Sequence, residues 1–204
     1  MTDRVTIRRF PTGVPGLDEI LGGGLPEFSF NLIAGAPGAG KTTLAQQIMF
    51  ALAGPDRPAL YFAVVGEPPL KMLRYQQQFT FFDMARVDES VRYVNLSHDV
   101  VDGRLEKILG RIVEEVAATN PAVVVVDSFR SVARAAETPN GDLDLQHFVH
   151  QLAARLTGWE ATTFLVGEYH PSEAEQNPVF TVADRKSTRL NSSHSDRSRM
   201  PSSA

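Results

Sequence analysis

Gly35-Ala36-Pro37-Gly38-Ala39-Gly40-Lys41-Thr42 is the stretch that decides the fold, because it fits the spacing glycine, four residues, glycine, lysine, then serine or threonine. An apolar, strand-like run precedes it over residues 28–34, and a helix-like run follows it over residues 42–52. Its three glycines permit backbone conformations that side chains forbid, so several N–H groups can converge on one anion. The positive end of the following helix faces the same anion. The stretch therefore predicts a phosphate-binding loop between a strand and a helix, and with it a bound nucleoside triphosphate.

The residues of this loop have separate predicted roles. We expect Lys41 to reach the β- and γ-phosphates and the Thr42 hydroxyl to ligate Mg²⁺. The alternative is a glycine-rich turn followed by a fortuitous lysine, which the flanking strand and helix disfavour. The residues predicted to bind the nucleotide are Gly35, Ala36, Pro37, Gly38, Ala39, Gly40, Lys41, Thr42 and Thr43.

Beyond the loop, the sequence alternates between strand-like and helix-like runs. The strand-like runs cover residues 59–65, 91–95, 122–127 and 162–166, and we interpret residues 179–182 as the beginning of one more strand. The helix-like runs cover residues 70–79, 103–119 and 143–156. Such alternation predicts an α/β fold, in which a mainly parallel sheet carries helices on both faces.

Three carboxylates at predicted strand ends are candidates for work on the phosphates. Asp127 ends a valine-rich strand, where a carboxylate can hold Mg²⁺ through water, with capping of the next helix as the alternative. Ser128 follows it, whereas many P-loop ATPases place a water-activating glutamate there, so the base must come from elsewhere. Glu67, after the second strand, is the predicted catalytic base, and a surface glutamate is the alternative reading. Glu168 is the second candidate, either as base or as a sensor of the γ-phosphate.

Composition narrows the class of protein further. The 204 residues are 43% hydrophobic, which is enough for one domain with a full core, and the absence of cysteine excludes disulfides and a zinc ribbon. The net charge of −4 leaves no electrostatic footprint for sequence-independent binding of nucleic acid, so we expect no nucleic-acid partner. The charged N-terminus lacks an apolar leader and no apolar run reaches the length of a membrane span. We therefore expect a cytoplasmic protein with no membrane partner.

Residues 185–204 differ from the rest of the chain. They are rich in serine, arginine and asparagine, lack apolar periodicity, and carry five basic residues against one acidic residue. They can also be encoded by codons that resemble a common short-read sequencing adapter. We therefore expect one domain over residues 1–184, incomplete at its C-terminus, and a non-native, disordered tail over residues 185–204.

The segment before the phosphate loop carries a more specific motif. The run Phe10-Pro11-Thr12-Gly13-Val14-Pro15-Gly16-Leu17-Asp18-Glu19-Ile20-Leu21-Gly22-Gly23-Gly24-Leu25-Pro26, followed by the loop, resembles the ATPase domain of the KaiC-like family in the RecA superfamily. Residues 61–67, 123–128 and 162–168 resemble the later strands of that family in order and spacing. The resemblance covers about residues 6–184, so this range is interpreted as a KaiC/RecA-like ATPase domain.

This resemblance implies a RecA-like P-loop fold, Mg²⁺-dependent hydrolysis of ATP, and a homo-oligomeric ring, commonly a hexamer with ATP between subunits. It also implies a regulatory or signalling role, with a signalling kinase as a possible partner. The sequence departs from the family at Gly66, where a second glutamate often precedes Glu67, and at Glu27-Phe28, where a glycine usually follows Leu-Pro. The family's last strands, which supply lysine and arginine fingers to the neighbouring subunit, have no counterpart here.

A DNA-dependent recombination or repair ATPase of the RecA or RadA type is the alternative function. RadA-like proteins share parts of the opening motif, whereas the acidic composition and the missing zinc ribbon favour the regulatory ATPase. Arg130 and Arg134 follow Asp127 in the region that resembles the DNA-contacting loops of RecA. We interpret them as solvated or intersubunit arginines.

Overall fold

The structure, a computed structural model, describes residues 7–64, 69–101, 104–135, 141–170, 177, 179–182 and 185–187. The strands are β1 (Arg9–Phe10), β2 (Leu25–Pro26), β3 (Phe30–Gly35), β4 (Ala59–Ala63), β5 (Val91–Asn95), β6 (Val123–Asp127), β7 (Thr162–Glu168) and β8 (Arg185–Ser187). The helices are α1 (Leu17–Ile20), α2 (Lys41–Leu52), α3 (Pro69–Gln76), α4 (Ser97–Val101), α5 (Leu105–Thr119), α6 (Phe129–Ala135), α7 (Gly141–Gly158) and α8 (Val179–Val182), with a 3-10 turn at Met84–Arg86. Within these ranges, no helix is both long and apolar enough to cross a membrane.

Six strands form one parallel sheet in the order β5-β4-β6-β7-β3-β8, and β1 pairs with β2 in a separate antiparallel ribbon. The register aligns Asp127 with Ala63 on one side and with Val166 on the other, and it aligns Gly35 with Glu168. The carboxyl ends of β3, β4, β6 and β7 therefore meet along one edge of the sheet. Ligands bind at this edge in open α/β sheets.

The core lies on both faces of the sheet. Alternate valines of β6 divide between two apolar clusters, because successive side chains of a strand point to opposite faces. Val124 and Val126 pack with buried residues of α5 and α7, and Val123 and Val125 pack with buried residues of α2. This packing of helices on both faces confirms the predicted α/β architecture. The predicted bounds of these core elements are met to about three residues, which is ordinary for helix and strand ends.

The opening motif folds over α2 as the ribbon β1–α1–β2. The Asp18 carboxylate accepts the N–H of Thr12 at 2.9 Å, and the Gln47 amide of α2 donates to the Gly13 carbonyl at 2.9 Å. Gly24 has φ 100°, and a Cβ there would collide with the carbonyl of Phe10. The glycines and the aspartate of the motif thus close a compact turn that packs on α2.

Phe28 belongs to the pair Glu27-Phe28, at which the sequence departs from the resembled family, and its backbone has a conformation that favours glycine. Its φ is 59°, in the left-handed region that costs a non-glycine residue about 1–2 kcal/mol. The Phe28 N–H donates to the Thr162 hydroxyl at 3.1 Å, which ties the start of β3 to the start of β7. This hydrogen bond holds Phe28 in its left-handed conformation.

The segment Val179–Val182 forms the short helix α8, so its interpretation as a strand was wrong. The Asn177 side chain accepts the N–H of Val179 at 3.1 Å, and the Asn177 carbonyl accepts the N–H of Phe180 at 3.0 Å. Val179 and Phe180 are buried, and the Phe180 ring meets the Tyr169 ring with centroids 5.3 Å apart. Capping by asparagine and packing on the core thus override the strand preference of a β-branched run.

The expected tail boundary at Arg185 was also wrong as a boundary of ordered structure. Arg185–Ser187 forms β8, which pairs in parallel with β3 over Asn31–Ile33. The open edge of β3 offers backbone N–H and C=O groups, which can pair with an extended segment whatever its side chains. The origin of the segment stays a prediction, and residues 188–204 lie outside the described residues.

Arg86 holds the C-terminal end of α2. Its guanidinium donates to the carbonyls of Phe50 at 2.7 Å and Ala53 at 2.6 Å, and it lies 5.6 Å from the centroid of the Phe50 ring. The last carbonyls of a helix have no partner within the helix, and they sit at the negative end of its dipole. A cation at this position therefore stabilises the helix that begins at the phosphate loop.

We expect Arg86→Met to lower the free energy of unfolding by about 2–3 kcal/mol, because two charge-assisted hydrogen bonds to helix carbonyls are lost. Urea unfolding of the ligand-free protein measures this as a lower midpoint at an unchanged slope. The matched control is Arg92→Met, an exposed arginine of β5, for which we expect a change within about ±0.5 kcal/mol. Equal midpoints for the two variants would contradict the capping role.

Candidate active site

The predicted phosphate loop joins β3 to α2 at the carboxyl edge of the sheet. Gly38 and Gly40 have φ values of 74° and 78°, in the left-handed region that favours glycine. Lys41 is buried at the first position of α2, and its Nζ donates to the Ala36 carbonyl at 2.8 Å. The ammonium group is therefore held within its own loop, next to backbone N–H groups at the start of a helix, which is the arrangement that attracts phosphate oxygens.

Thr42 and Asp127 meet across the loop. The Thr42 hydroxyl donates to Oδ2 of Asp127 at 2.7 Å, although the two residues are 85 positions apart in sequence. The structure therefore brings together the two residues that the sequence predicted as the magnesium site. Among the described residues, the hydrogen bonds of the Asp127 carboxylate go to side chains of α2 and β4 rather than to the backbone of α6, which disfavours the alternative of a helix cap.

Tyr61, which the sequence analysis did not single out, completes this group. It is buried in β4, and its hydroxyl donates to the same Oδ2 of Asp127 at 2.6 Å. The available signal was a single polar side-chain atom in an otherwise apolar strand, but such a tyrosine is usually explained by packing. The structure thus places two hydroxyl donors on one carboxylate oxygen.

Burial dominates the electrostatics of this group. It raises the pKa of Asp127, and the hydrogen bonds from Tyr61 and Thr42 and the charge of Lys41 act in the opposite direction. The nearby charge of Glu168 adds to the rise. Burial, reinforced by the Asp127 charge, also raises the pKa of Tyr61 well above its usual value. Tyr61 therefore remains a neutral hydroxyl that donates its proton to Asp127.

The donor atoms fit Mg²⁺. This ion prefers oxygen ligands and usually keeps several waters, with one or two carboxylates and the substrate phosphates completing its shell. The Thr42 hydroxyl and the Asp127 carboxylate supply such oxygens directly beside the phosphate loop. An ion at this place would lower the pKa of Asp127, in the opposite direction to burial.

Glu168 ends β7 beside the phosphate loop, and its side chain is exposed. Its backbone carbonyl accepts from Nη1 of Arg130 at 2.6 Å, and the Arg130 guanidinium lies 5.5 Å from the centroid of the Tyr169 ring. Arg130 therefore has partners within its own chain, which disfavours its interpretation as a solvated or intersubunit arginine, whereas Arg134 is exposed. The predicted base Glu67, with Gly66, lies outside the described residues, and its role stays a prediction.

Comparison with solved structures identifies the fold. A KaiC-like protein of the archaeon Pyrococcus horikoshii superposes with a TM-score of 0.71 at 24% sequence identity. The match covers 89% of this chain and 80% of that chain. The two proteins therefore share one α/β fold.

Curated relatives cover shorter or more distant stretches. A UPF0273 protein of Thermotoga maritima is 45% identical over 62 residues, which cover 30% of this chain and 26% of that protein. The DNA repair protein RadA of Mycobacterium tuberculosis is 28% identical over 173 residues, which cover 84% of this chain and 33% of that protein. The chain thus spans about a quarter to a third of the length of the curated relatives it matches.

The family comparison reaches further along the chain. A family model described as "ATPase: KaiC" matches residues 10–187. This range begins at the opening motif and includes the phosphate loop, the strand that ends in Asp127, and the strand that ends in Glu168. Because the match extends over most of the sequence and over every part of the site just described, the chain belongs to the KaiC-like ATPase family.

Proposed function

We propose that this chain binds Mg²⁺ and ATP and hydrolyses ATP as a regulatory ATPase within a homo-oligomeric ring. The observation that carries this proposal is the convergence of Lys41, Thr42 and Asp127 at one edge of the sheet, with Thr42 and Asp127 joined by a 2.7 Å hydrogen bond. Membership of the KaiC-like family supports the use of a nucleotide. We place the protein in the cytoplasm.

Each group at this edge has a proposed role. The backbone N–H groups of the loop surround the phosphates, and Lys41 exchanges the Ala36 carbonyl for phosphate oxygens. Mg²⁺, held by Thr42 and through water by Asp127, would neutralise charge that develops on the β- and γ-phosphates. Hydrolysis then requires a base that orients and deprotonates the attacking water.

Glu67 is the proposed base, and Glu168 is the second candidate. We expect Glu67→Gln to bind ATP with the affinity of the parent chain while phosphate release falls by roughly 10²-fold or more, because the amide keeps the shape but cannot accept the proton. Glu168→Gln is the matched variant at the end of β7, and we expect its phosphate release to fall only a few-fold. Nucleotide affinity and steady-state phosphate release are measured on both. If Glu67→Gln turns over at the parental rate and Glu168→Gln does not, the two roles are exchanged.

The proposed ring and partner rest on family resemblance. In a ring with ATP between subunits, an exposed cation of one subunit would complete the site of the next, and Arg134 is an exposed candidate on α6. Mass measurement with and without ATP tests the assembly, and we expect nucleotide to favour the oligomer. A signalling kinase remains the proposed partner class.

A DNA-dependent repair or recombination ATPase is the second candidate function. The observation that favours it is the match to RadA, a DNA repair protein, over 84% of this chain. The sequence-based exclusion of nucleic acid thus has no support from the comparisons. ATP turnover with and without single-stranded DNA separates the two candidates. A severalfold stimulation by DNA would favour the repair ATPase, and an unchanged rate would favour the regulatory one.

A further inference from the structure

Tyr61 makes a contact at the magnesium site that the loop motif does not require. The side chain is only 2% exposed, and its hydroxyl lies 2.6 Å from Oδ2 of Asp127. The Thr42 hydroxyl lies 2.7 Å from the same oxygen. Among the described residues, Oδ1 of Asp127 has no hydrogen-bond donor, so the two hydroxyls hold one carboxylate oxygen and leave the other for a different partner.

The sheet register explains how Tyr61 reaches the aspartate. In the parallel pair of β4 and β6, Tyr61 lies beside Val125 and Ala63 lies beside Asp127. Val125 and Asp127 share a face of β6, so Tyr61 is the diagonal neighbour of Asp127 on that face. The Tyr61 side chain is long enough to span this diagonal, since its hydroxyl lies 2.6 Å from Oδ2 of Asp127.

Packing fixes the direction of the Tyr61 ring. Its centroid lies 5.3 Å from that of Tyr93 on β5, and it belongs to the apolar cluster between the sheet and α2. Thr42 of α2 donates to the same carboxylate oxygen, and Gln46, one turn later on α2, is fully buried. The hydroxyl is thus confined between α2 and the carboxylate, and rotation of the Asp127 side chain would break its hydrogen bond.

We propose that Tyr61 is a positioning residue of the Mg²⁺ site, whose hydroxyl anchors Oδ2 of Asp127 so that Oδ1 is presented to the ion's water shell. This role rests on the proposed function, in which Mg²⁺ and ATP bind at this edge. Groups that orient a metal-binding carboxylate commonly contribute 10- to 100-fold to metal affinity without contacting the ion. Tyr61 contacts neither the nucleotide phosphates nor the ion in this scheme.

The matched pair of variants is Tyr61→Phe and Tyr93→Phe. Both remove one buried hydroxyl from neighbouring rings, but the Tyr93 hydroxyl has no hydrogen-bond partner among the described residues. Affinity for a non-hydrolysable ATP analogue is measured by calorimetry, once with excess Mg²⁺ and once with a chelator. The ratio of the two affinities reports the contribution of Mg²⁺ without any turnover.

We expect all three proteins to bind the analogue equally without Mg²⁺, because the phosphate loop is unchanged. We expect the ratio of the affinities with and without Mg²⁺ to fall about tenfold in Tyr61→Phe and to stay at the parental value in Tyr93→Phe. In the Asp127→Asn background, adding Tyr61→Phe should change the ratio no further, which also tests the coupling should the single variant be poorly folded.

Two results would overturn the role of Tyr61 while leaving the proposed function intact. One is a parental affinity ratio in Tyr61→Phe, and the other is an equal loss in Tyr93→Phe, which would indicate ring packing rather than the hydroxyl. A parent chain that binds no analogue, or that gains nothing from Mg²⁺, would instead overturn the proposed function and this role with it.

Discussion

Lys41→Ala is expected to weaken ATP binding by roughly 10²–10³-fold, since removing one partner of a buried, charge-assisted contact costs about 2–5 kcal/mol. Lys41 is buried, and its Nζ already lies within the loop at 2.8 Å from the Ala36 carbonyl. The ammonium group is therefore already positioned to contact phosphate oxygens in the loop, whereas alanine at this position provides no positive charge for them. Calorimetric titration of the variant with ATP and Mg²⁺ measures the loss.

The control for this prediction is Lys107→Ala. Lys107 is an exposed lysine of α5, 4.0 Å from Asp99, and it lies outside the proposed site. We expect parental affinity for ATP in this variant. An affinity of Lys41→Ala within threefold of the parent would mean that the loop does not use its lysine for phosphate, and the assignment of the stretch as a nucleotide site would be lost.

Asp127→Asn is expected to reduce hydrolysis roughly a thousandfold, because the metal supplies several kcal/mol of charge stabilisation and a neutral amide binds it poorly. The same substitution is expected to stabilise the ligand-free fold at neutral pH. Burial raises the pKa of Asp127, so keeping the carboxylate charged in the folded state costs stability. An asparagine oxygen can still accept from Thr42 and Tyr61.

The pH dependence of this stability gain has a definite sign. A carboxyl whose folded pKa is raised opposes folding at pH values above that pKa, and the opposition vanishes below the pKa of the unfolded chain. The advantage of Asp127→Asn should therefore be full at neutral pH and should shrink as the pH falls toward 4. Thermal unfolding without nucleotide at a series of pH values measures it. The control is Asp56→Asn, an exposed aspartate before β4, measured over the same pH series.

A destabilised Asp127→Asn variant at neutral pH would contradict this account of the site. It would mean that the charge of Asp127 is compensated by Lys41 and the two hydroxyls more than burial opposes it. The stability gain and the loss of hydrolysis are separate measurements. A variant that gained stability but kept its activity would exclude Asp127 from the magnesium site. It would still agree with an unfavourable burial of the Asp127 charge in the ligand-free fold.

The alternation of strands and helices, the glycine loop and the position of Asp127 at a strand end were all predictable from local sequence. The glycine spacing from Gly35 to Gly40 predicts a loop whose N–H groups converge on an anion. The valine run before Asp127 predicts a strand buried on both faces. These signals are local, because a backbone conformation or a strand preference is set by a few neighbouring residues. The opening motif predicted membership of the KaiC-like family, and the match over residues 10–187 confirms it.

The remaining features depend on residues that are far apart in sequence. Tyr61 reads as an ordinary core residue until the register of β4 and β6 places its hydroxyl beside Asp127, 66 positions away. The sequence predicts Arg130 as a solvated or intersubunit arginine, but α6 brings it to the Glu168 carbonyl, 38 positions away. Neither partner is visible in a local pattern, since sheet pairing and helix packing choose it.

The two wrong predictions near the C-terminus have the same physical origin. A β-branched run at 179–182 favours a strand, yet the Asn177 cap and the burial of Phe180 make it helix α8. A polar run at 185–187 lacks any strand signal, yet the free edge of β3 pairs with it through the backbone. The sequence by itself determined the phosphate loop, the alternation of strands and helices, and the aspartate at the strand end, because these follow from short-range backbone chemistry. Only the tertiary structure decided which hydroxyl anchors that aspartate and which segment pairs with β3 as the edge strand, because both depend on long-range pairing.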